Sequence, residues 1–208
     1  MPINTTDLLV FLTAALTLNL TPGNDMMYVL GQSIKGGARS GVAASFGIAA
    51  GSFIHLVLVA LGIAVVLTQY PAIFDAIRWA GAAYLVWIAY KTLTTPIGNL
   101  QAEGQKRGLF AAWRDGVLVN AFNPKTIIFM FAFLPPFIRP ENGAPLVQLF
   151  ILGMIFNIGG TAINCLVAAF AGRIGEMLSR SRTIARVFSI VSASLFLILA
   201  ARMAFERR

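Results

Sequence analysis

Charged residues are scarce in this sequence of 208 amino acids. Only 12% of the residues carry a charge and 58% are hydrophobic, and the mean hydropathy is +0.78. A soluble domain needs charge on roughly a quarter of its residues. This composition therefore excludes a soluble globular protein and indicates that lipid covers most of the surface.

Cysteine and histidine each occur once, as Cys165 and His55. A single thiol excludes a disulfide and the dithiol pair of a thiol–disulfide transporter. One histidine and one cysteine are also a poor ligand set for a metal ion. The chain has neither a His-Glu-x-x-His sequence nor a recognisable nucleophile with its base, so we predict that it is not an enzyme and uses no metal or cofactor.

Acidic residues are outnumbered by basic ones, which gives a formal net charge of +8. The Lys and Arg residues lie in short loops between apolar stretches and form no patch interleaved with exposed aromatic residues, so we expect no binding to nucleic acid. No Lys or Arg precedes the first apolar stretch, so we expect no cleaved signal peptide.

Six apolar stretches are present instead, and each is long enough to cross a bilayer, which takes about 20 residues. They predict an all-α integral membrane protein with six transmembrane helices, forming one transporter domain over residues 1–208. The predicted spans cover about residues 7–30, 41–68, 73–93, 111–138, 146–171 and 185–205.

The two halves of the chain share the same order of spans: one broken, one rich in glycine, one uninterrupted. Pro22 and Pro124 break the first and fourth spans, and Gly47 in the second span matches Gly153 in the fifth. Because three spans is an odd number, the second copy must enter the membrane from the opposite side. We therefore predict two inverted three-helix repeats, at about 7–95 and 111–205 with a loop at 96–110, a plan common among secondary transporters.

Most loop Lys and Arg residues fall on one side of this topology, among them Lys35, Arg39, Arg114 and Arg180. The positive-inside rule makes that side cytoplasmic and both termini extracytoplasmic. The basic C-terminal pair Arg207-Arg208 argues in the other direction.

The two prolines free backbone groups within the membrane. Pro22 leaves the carbonyl of Leu18 without its helical partner, Pro124 does the same to Asn120, and Gly23 adds backbone freedom. Such breaks persist only beside protein or a water-filled cavity. Interruptions at corresponding positions predict a substrate site, although two structural proline kinks would give the same pattern. Side chains suited to such a site surround both breaks: Asn19, Thr21, Asn24, Asn120 and Asn123.

Asp25 and Lys125 follow the two breaks. An unpaired charge at the bilayer centre costs about 3 kcal/mol or more, so we expect the two to approach each other across the repeat axis. Asp25 would then bind a proton or an ammonium group, and Lys125 would bind a carboxylate or act as a counter-charge. Half-helix N-termini and freed carbonyls would suit the two charged groups of an α-amino acid. A purely structural ion pair is the alternative.

Three more polar residues lie within the predicted spans. His55 could shuttle protons or be a hydrogen-bonded core residue. Asn157 and Asn164 could line a solute path or bridge helices. With Asn19 and Asn120 they complete the set of candidate pathway residues.

The sequence Thr21-Pro22-Gly23-Asn24-Asp25 resembles the first-helix motif of the LysE/RhtB family of bacterial amino-acid exporters, with Asn24 at a usual proline position. Asn123-Pro124-Lys125, followed by a Phe-rich segment ending at Pro135, is similar to the fourth-helix motif of that family. Gly81-Ala82-Ala83-Tyr84-Leu85 is similar to its third-helix pattern.

This resemblance implies export of amino acids or close derivatives across the bacterial cytoplasmic (inner) membrane, driven by protons. The expected partners are an amino acid, protons and the lipid bilayer, and the glycine-rich helices would permit a homodimer. Export of an inorganic ion and a non-transporting sensor or scaffold are the alternatives. By resemblance, the site residues are those of the two motifs: Pro22, Gly23, Asp25, Asn123, Pro124 and Lys125.

Overall fold

The computed structural model describes residues 3–69, 71–94, 108–171 and 182–205. These residues form helices joined by short connections, and no β-strand occurs within the described ranges. The all-α prediction is therefore confirmed. The part of the predicted loop 96–110 that precedes residue 108 lies outside the described residues.

The described ranges contain eight α-helices. They are α1 (Thr5–Leu20), α2 (Asn24–Gly36), α3 (Ala38–Gln69), α4 (Pro71–Thr94), α5 (Leu109–Ala121), α6 (Pro124–Ile128), α7 (Pro145–Ala169) and α8 (Arg182–Phe205). Helix α6 continues into a π-helical turn (Phe129–Phe133) and a 3₁₀ turn (Pro135–Phe137), and a second 3₁₀ turn (Pro140–Asn142) precedes α7.

Two segments are long and apolar enough to cross a membrane alone: Ala38–Gly62 within α3, and α7. The pair α1–α2 and the pair formed by α5 and Pro124–Phe137 pass the same test when each bent pair counts as one span, which gives up to four. Helices α4 and α8 occupy the positions predicted for the third and sixth spans. The six-span topology and the inverted repeat stay predictions.

Both bent pairs turn next to the prolines that the sequence singled out. The chain bends by 46° between α1 and α2 and by 53° between α5 and the segment that begins at Pro124. Pro124 occupies the first turn of α6, where a missing N–H is tolerated. Asn123 caps that helix by accepting a hydrogen bond from the backbone N–H of Lys125 at 3.0 Å.

Gly23 is the N-cap of α2 and has a φ of −157°. Because any residue can adopt this extended conformation, the expectation that the first break depends on the backbone freedom of glycine is wrong. The absence of a side chain matters here for a different reason, the path of Lys125 described below.

Helices α3 and α5 approach closely because glycines face the backbone of the partner helix. A Cβ on Gly47 would collide with the carbonyl of Trp113, and one on Gly116 would lie 2.6 Å from the carbonyl oxygen of Ala44. Close approach through small residues is typical of helix packing in membranes.

Helices α3 and α7 run antiparallel. A Cβ on Gly41, near the start of α3, would meet Ala168 near the end of α7, and a Cβ on Gly153 would collide with Leu56. The side-chain amide of Asn157 joins the same two helices by donating to the carbonyl of Ala49 at 3.0 Å.

The buried apolar side chains form two separate clusters. The phenylalanine cluster includes Phe11, Leu18, Leu56, Phe129 and Phe156, together with Phe133 and Phe137. The valine–alanine cluster comprises Val29, Leu30, Ala44, Ile48, Val167, Ala168 and Ala171. Helix α1 contributes only to the phenylalanine cluster, and α2 contributes only to the valine–alanine cluster. Helices α3 and α7 each contribute residues from one end to the first cluster and from the other end to the second. The clusters therefore lie on either side of the level at which the first span is broken.

Candidate solute-binding site

A cavity of about 30 Å³ lies where the two breaks meet. This volume accommodates one or two water molecules. The cavity is lined by residues of both breaks and by one face of α7: Leu18, Asn19, Thr21, Gly23, Asp25, Met26, Asn123, Lys125, Thr126, Phe156, Gly160 and Asn164. The fold thus brings two motifs that are distant in sequence to one polar space.

The carboxylate of Asp25 is bound from the second break through one of its two oxygens. The side-chain amide of Asn120 donates to Oδ2 at 3.0 Å, and the hydroxyl of Thr126 lies 3.5 Å from the same atom. The other oxygen, Oδ1, is buried, and none of the described residues forms a hydrogen bond with it. Within the described residues, Asp25 therefore retains one carboxylate oxygen without a hydrogen bond that meets the usual geometry.

The ammonium of Lys125 is bound from the first break. Its Nζ donates a hydrogen bond of 2.8 Å to the backbone carbonyl of Thr21. The side chain passes over Gly23, where an added Cβ would lie 3.4 Å from Cδ and 3.5 Å from Nζ. Each break therefore holds the charged residue that follows the other break.

Asp25 and Lys125 both line the cavity, but no ion pair joins them in the part of the chain that the structure describes. Their hydrogen bonds go to neutral groups, Asn120 and Thr21. The alternative of a structural ion pair is thus not what this structure contains. The two opposite charges are instead held separately within one cavity.

His55 binds the backbone at the second break. Its Nε2 lies 3.2 Å from the carbonyl oxygen of Asn120, the group that Pro124 leaves without a helical partner. Since a carbonyl only accepts hydrogen bonds, Nε2 carries the proton. The backbone N–H of Asn123 donates to the same oxygen at 2.9 Å. His55 is buried and stabilises the second break, and it is not part of the cavity lining.

The asparagines predicted to line a path have different positions. Asn164 and Asn19 line the cavity, and Asn19 also donates to the carbonyl of Phe156 at 3.1 Å. Asn123 lines the cavity as well, with its Nδ2 buried and unbonded among the described residues. Asn157 bridges helices instead, and Asn24 is exposed at the start of α2. Pro22 and Pro124 shape the breaks and stand outside the lining.

Four lining residues escaped the sequence analysis: Met26, Thr126, Phe156 and Gly160. Thr126 directly follows the second break, so its place in the motif was a usable signal. Phe156 and Gly160 lie on α7, and only the packing of that helix against the first break shows which of its faces is turned toward the cavity.

An ion pair away from the cavity also escaped the sequence analysis. Nε of Arg139 lies 2.8 Å from Oδ2 of Asp7, whose side chain is 8% exposed. The side chain of Gln148 binds both the N–H and the carbonyl of Arg139, at 2.9 and 2.8 Å. These contacts fasten the start of α1 to the connection that precedes α7.

The described ranges contain no group of three or more His, Cys, Asp or Glu side chains arranged to hold a metal ion.

A family model of the LysE type translocators matches residues 16–207, which include both breaks and every residue of the cavity lining. The chain belongs to the LysE type translocator family. This confirms the resemblance found in the motifs. It also makes the chain a member of a transport family.

Named relatives of this LysE type translocator cover nearly its whole length. The homoserine/homoserine lactone efflux protein of Salmonella typhimurium is 30% identical over 200 residues, covering 95% of each chain. The leucine efflux protein of Klebsiella pneumoniae is 25% identical over 200 residues, covering 94% of this chain and 93% of the relative. An uncharacterized membrane protein of Vibrio cholerae is 29% identical over 187 residues. No solved structure matches the chain.

Proposed function

We propose that this LysE type translocator exports amino acids or close derivatives from the cytoplasm in exchange for protons, by alternating access around the cavity between the two breaks. One observation carries the proposal. Asp25 has a buried carboxylate oxygen with no hydrogen-bond donor among the described residues, and it shares a cavity with the ammonium of Lys125. A solute with a positive and a negative group complements both.

The substrates named for the relatives favour the ammonium group as the main determinant. Homoserine, its lactone and leucine share an α-ammonium group and a carbonyl carbon next to it, but the lactone has no carboxylate. Asp25 Oδ1 is buried and unbonded among the described residues, so it would accept a hydrogen bond from the ammonium. Lys125 and the unbonded Nδ2 of Asn123 would donate to the carbonyl or carboxylate oxygen.

The N-terminus of α2 supports the same assignment. Gly23 provides no side-chain cap, so the first N–H groups of this 13-residue helix begin at the cavity. Their partial positive charge favours an anionic or carbonyl oxygen.

The cavity as it stands is too small for an amino acid, so transport requires the two breaks to separate. The bonds between Lys125 and Thr21 and between Asn120 and Asp25 would open, and the solute would replace them. After release of the solute, a proton would take the place of its ammonium group on Asp25 and allow the return step. In this scheme the protein lies in the bacterial inner membrane, its two halves are inverted repeats, and both termini are extracytoplasmic.

The proposal is tested with purified protein in proteoliposomes loaded with homoserine, its lactone or leucine, with and without a pH gradient. We expect the wild type to export at least one of these solutes faster when a gradient is present. Asp25→Asn should abolish the effect of the gradient, because the amide cannot take up a proton. Asp115→Asn makes the same change outside the cavity and should leave it intact.

Unchanged proton-coupled efflux by Asp25→Asn would contradict the role given to this carboxylate. A wild-type protein that moves none of the solutes would contradict export of amino acids and favour a sensor or scaffold.

A further inference from the structure

One face of α7 forms a wall of the cavity. Phe156, Gly160 and Asn164 follow one another at intervals of four residues, so they lie on the same side of the helix. All three line the cavity. This face has an aromatic ring at one end and an amide at the other.

The amide of Asn164 forms no hydrogen bond within the described part of the chain. The residue is 7% exposed, yet none of the described residues forms a hydrogen bond with its side chain. The other two asparagines that face α7 or belong to it are bonded, Asn19 to the carbonyl of Phe156 and Asn157 to that of Ala49. Helix packing therefore does not use the amide of Asn164, which lines the cavity and can bond a molecule there.

Gly160 lies between Phe156 and Asn164 and makes room for the amide of Asn19. A Cβ at this position would lie 2.9 Å from Oδ1 of Asn19. Between the ring of Phe156 and the amide of Asn164, the cavity is therefore lined by Gly160 and by the amide of Asn19. The only charged residues of the described lining are Asp25 and Lys125, both assigned above to the backbone groups of the solute. A charged solute side chain would thus find no counter-charge.

We propose that Asn164 recognises the side chain of the exported solute and selects short side chains that carry a neutral oxygen over apolar side chains of the same size. This inference rests on the proposed function, because it places the common groups of the amino acid at Asp25 and Lys125. Phe156 then packs against the methylene groups of the solute. The amide of Asn164, which both donates and accepts, forms the hydrogen bond to a hydroxyl or lactone oxygen.

Homoserine and norvaline provide a matched pair of solutes, since they differ only by a hydroxyl in place of a terminal methyl. Competition efflux from reconstituted vesicles measures the ratio of their transport efficiencies. We expect the wild type to favour homoserine by about tenfold, the discrimination expected of one buried hydrogen bond. Asn164→Leu keeps the size of the side chain and should bring the ratio close to one while norvaline efflux persists.

Asn157→Leu is the matched control, because it makes the same replacement on the same helix at an amide that bonds Ala49 instead of lining the cavity. Its homoserine to norvaline ratio should equal that of the wild type. Asn164→Ala, which only removes atoms, provides the same measurement if the leucine variant does not insert.

A wild type that exports both solutes equally well, or an Asn164 variant that retains the wild-type ratio, would overturn this inference and leave the proposed function intact. A wild type that exports no amino acid would overturn both.

Discussion

The ammonium of Lys125 is bound by the backbone carbonyl of Thr21, at 2.8 Å, although the carboxylate of Asp25 lines the same cavity. A carbonyl dipole holds the cation without neutralising it. The hydrogen bonds of Lys125 and Asp25 thus leave the two side chains unpaired with each other, and Oδ1 of Asp25 has no donor among the described residues. This arrangement suits a site that must bind and release a charged group in each cycle.

Replacing Lys125 by Met should reduce amino-acid efflux at least tenfold. The variant keeps the length of the side chain but loses the donor to Thr21 and the positive charge in the cavity, and removal of a charged hydrogen-bonding group at a binding site costs about 1.5–3 kcal/mol. Initial efflux rates in proteoliposomes provide the measurement. Lys35→Met, at the last turn of α2, is the control and should transport normally; equal rates for both variants would remove Lys125 from the site.

The ion pair between Asp7 and Arg139 should stabilise the fold. Arg139→Ala leaves the largely buried carboxylate of Asp7 without this partner, so we expect a loss of about 2 kcal/mol in the free energy of unfolding. Arg114→Ala removes a guanidinium that is 58% exposed in its pair with Asp115 and should cost less than about 0.5 kcal/mol. Thermal denaturation in detergent compares the two variants. The prediction fails if both have the same Tm.

Gly47 should tolerate no side chain. Gly47→Ala places a methyl group against the carbonyl of Trp113, and neither backbone can move without separating α3 from α5. We expect a loss of about 3 kcal/mol from overpacking, seen as poor yield of folded protein in size-exclusion chromatography. Gly62→Ala on the same helix meets nothing within 4 Å and should behave as the wild type does. A well-folded Gly47→Ala protein would show that the helices are further apart.

His55 should not set the pH dependence of transport. Its Nε2 donates to the carbonyl of Asn120 that Pro124 frees, and it stands outside the cavity lining. We expect His55→Gln, whose amide can still donate, to keep the wild-type pH profile of efflux, with a cost of about 1 kcal/mol in stability. A pH profile that shifts in this variant would instead favour a proton shuttle at His55.

The positions of the breaks could be predicted from the sequence because proline acts locally. Pro22 and Pro124 cannot supply a helical hydrogen bond wherever they stand, and the structure bends beside both. The meeting of Asp25 and Lys125 in one cavity followed from the repeat and from the cost of isolated charges in lipid.

The partners of these charges could not be predicted. Lys125 bonds a backbone carbonyl, and every residue has one, so no residue type marks Thr21 as the acceptor. No pattern in the sequence links Asp7 with Arg139, and only the packing of α1 brings them together. The unbonded state of Asn164 is likewise a property of its surroundings, since the sequence alone does not distinguish it from the other asparagines near the breaks and on α7.

The separation of the phenylalanine cluster from the valine–alanine cluster has a mechanical consequence. Each cluster contains residues from one end of α3 and from one end of α7, and the cavity lies between the two clusters. Apolar contacts stabilise each cluster, whereas a few hydrogen bonds of about 1 kcal/mol each join the two breaks at the cavity. In the proposed alternating access, one cluster would loosen while the other remains packed.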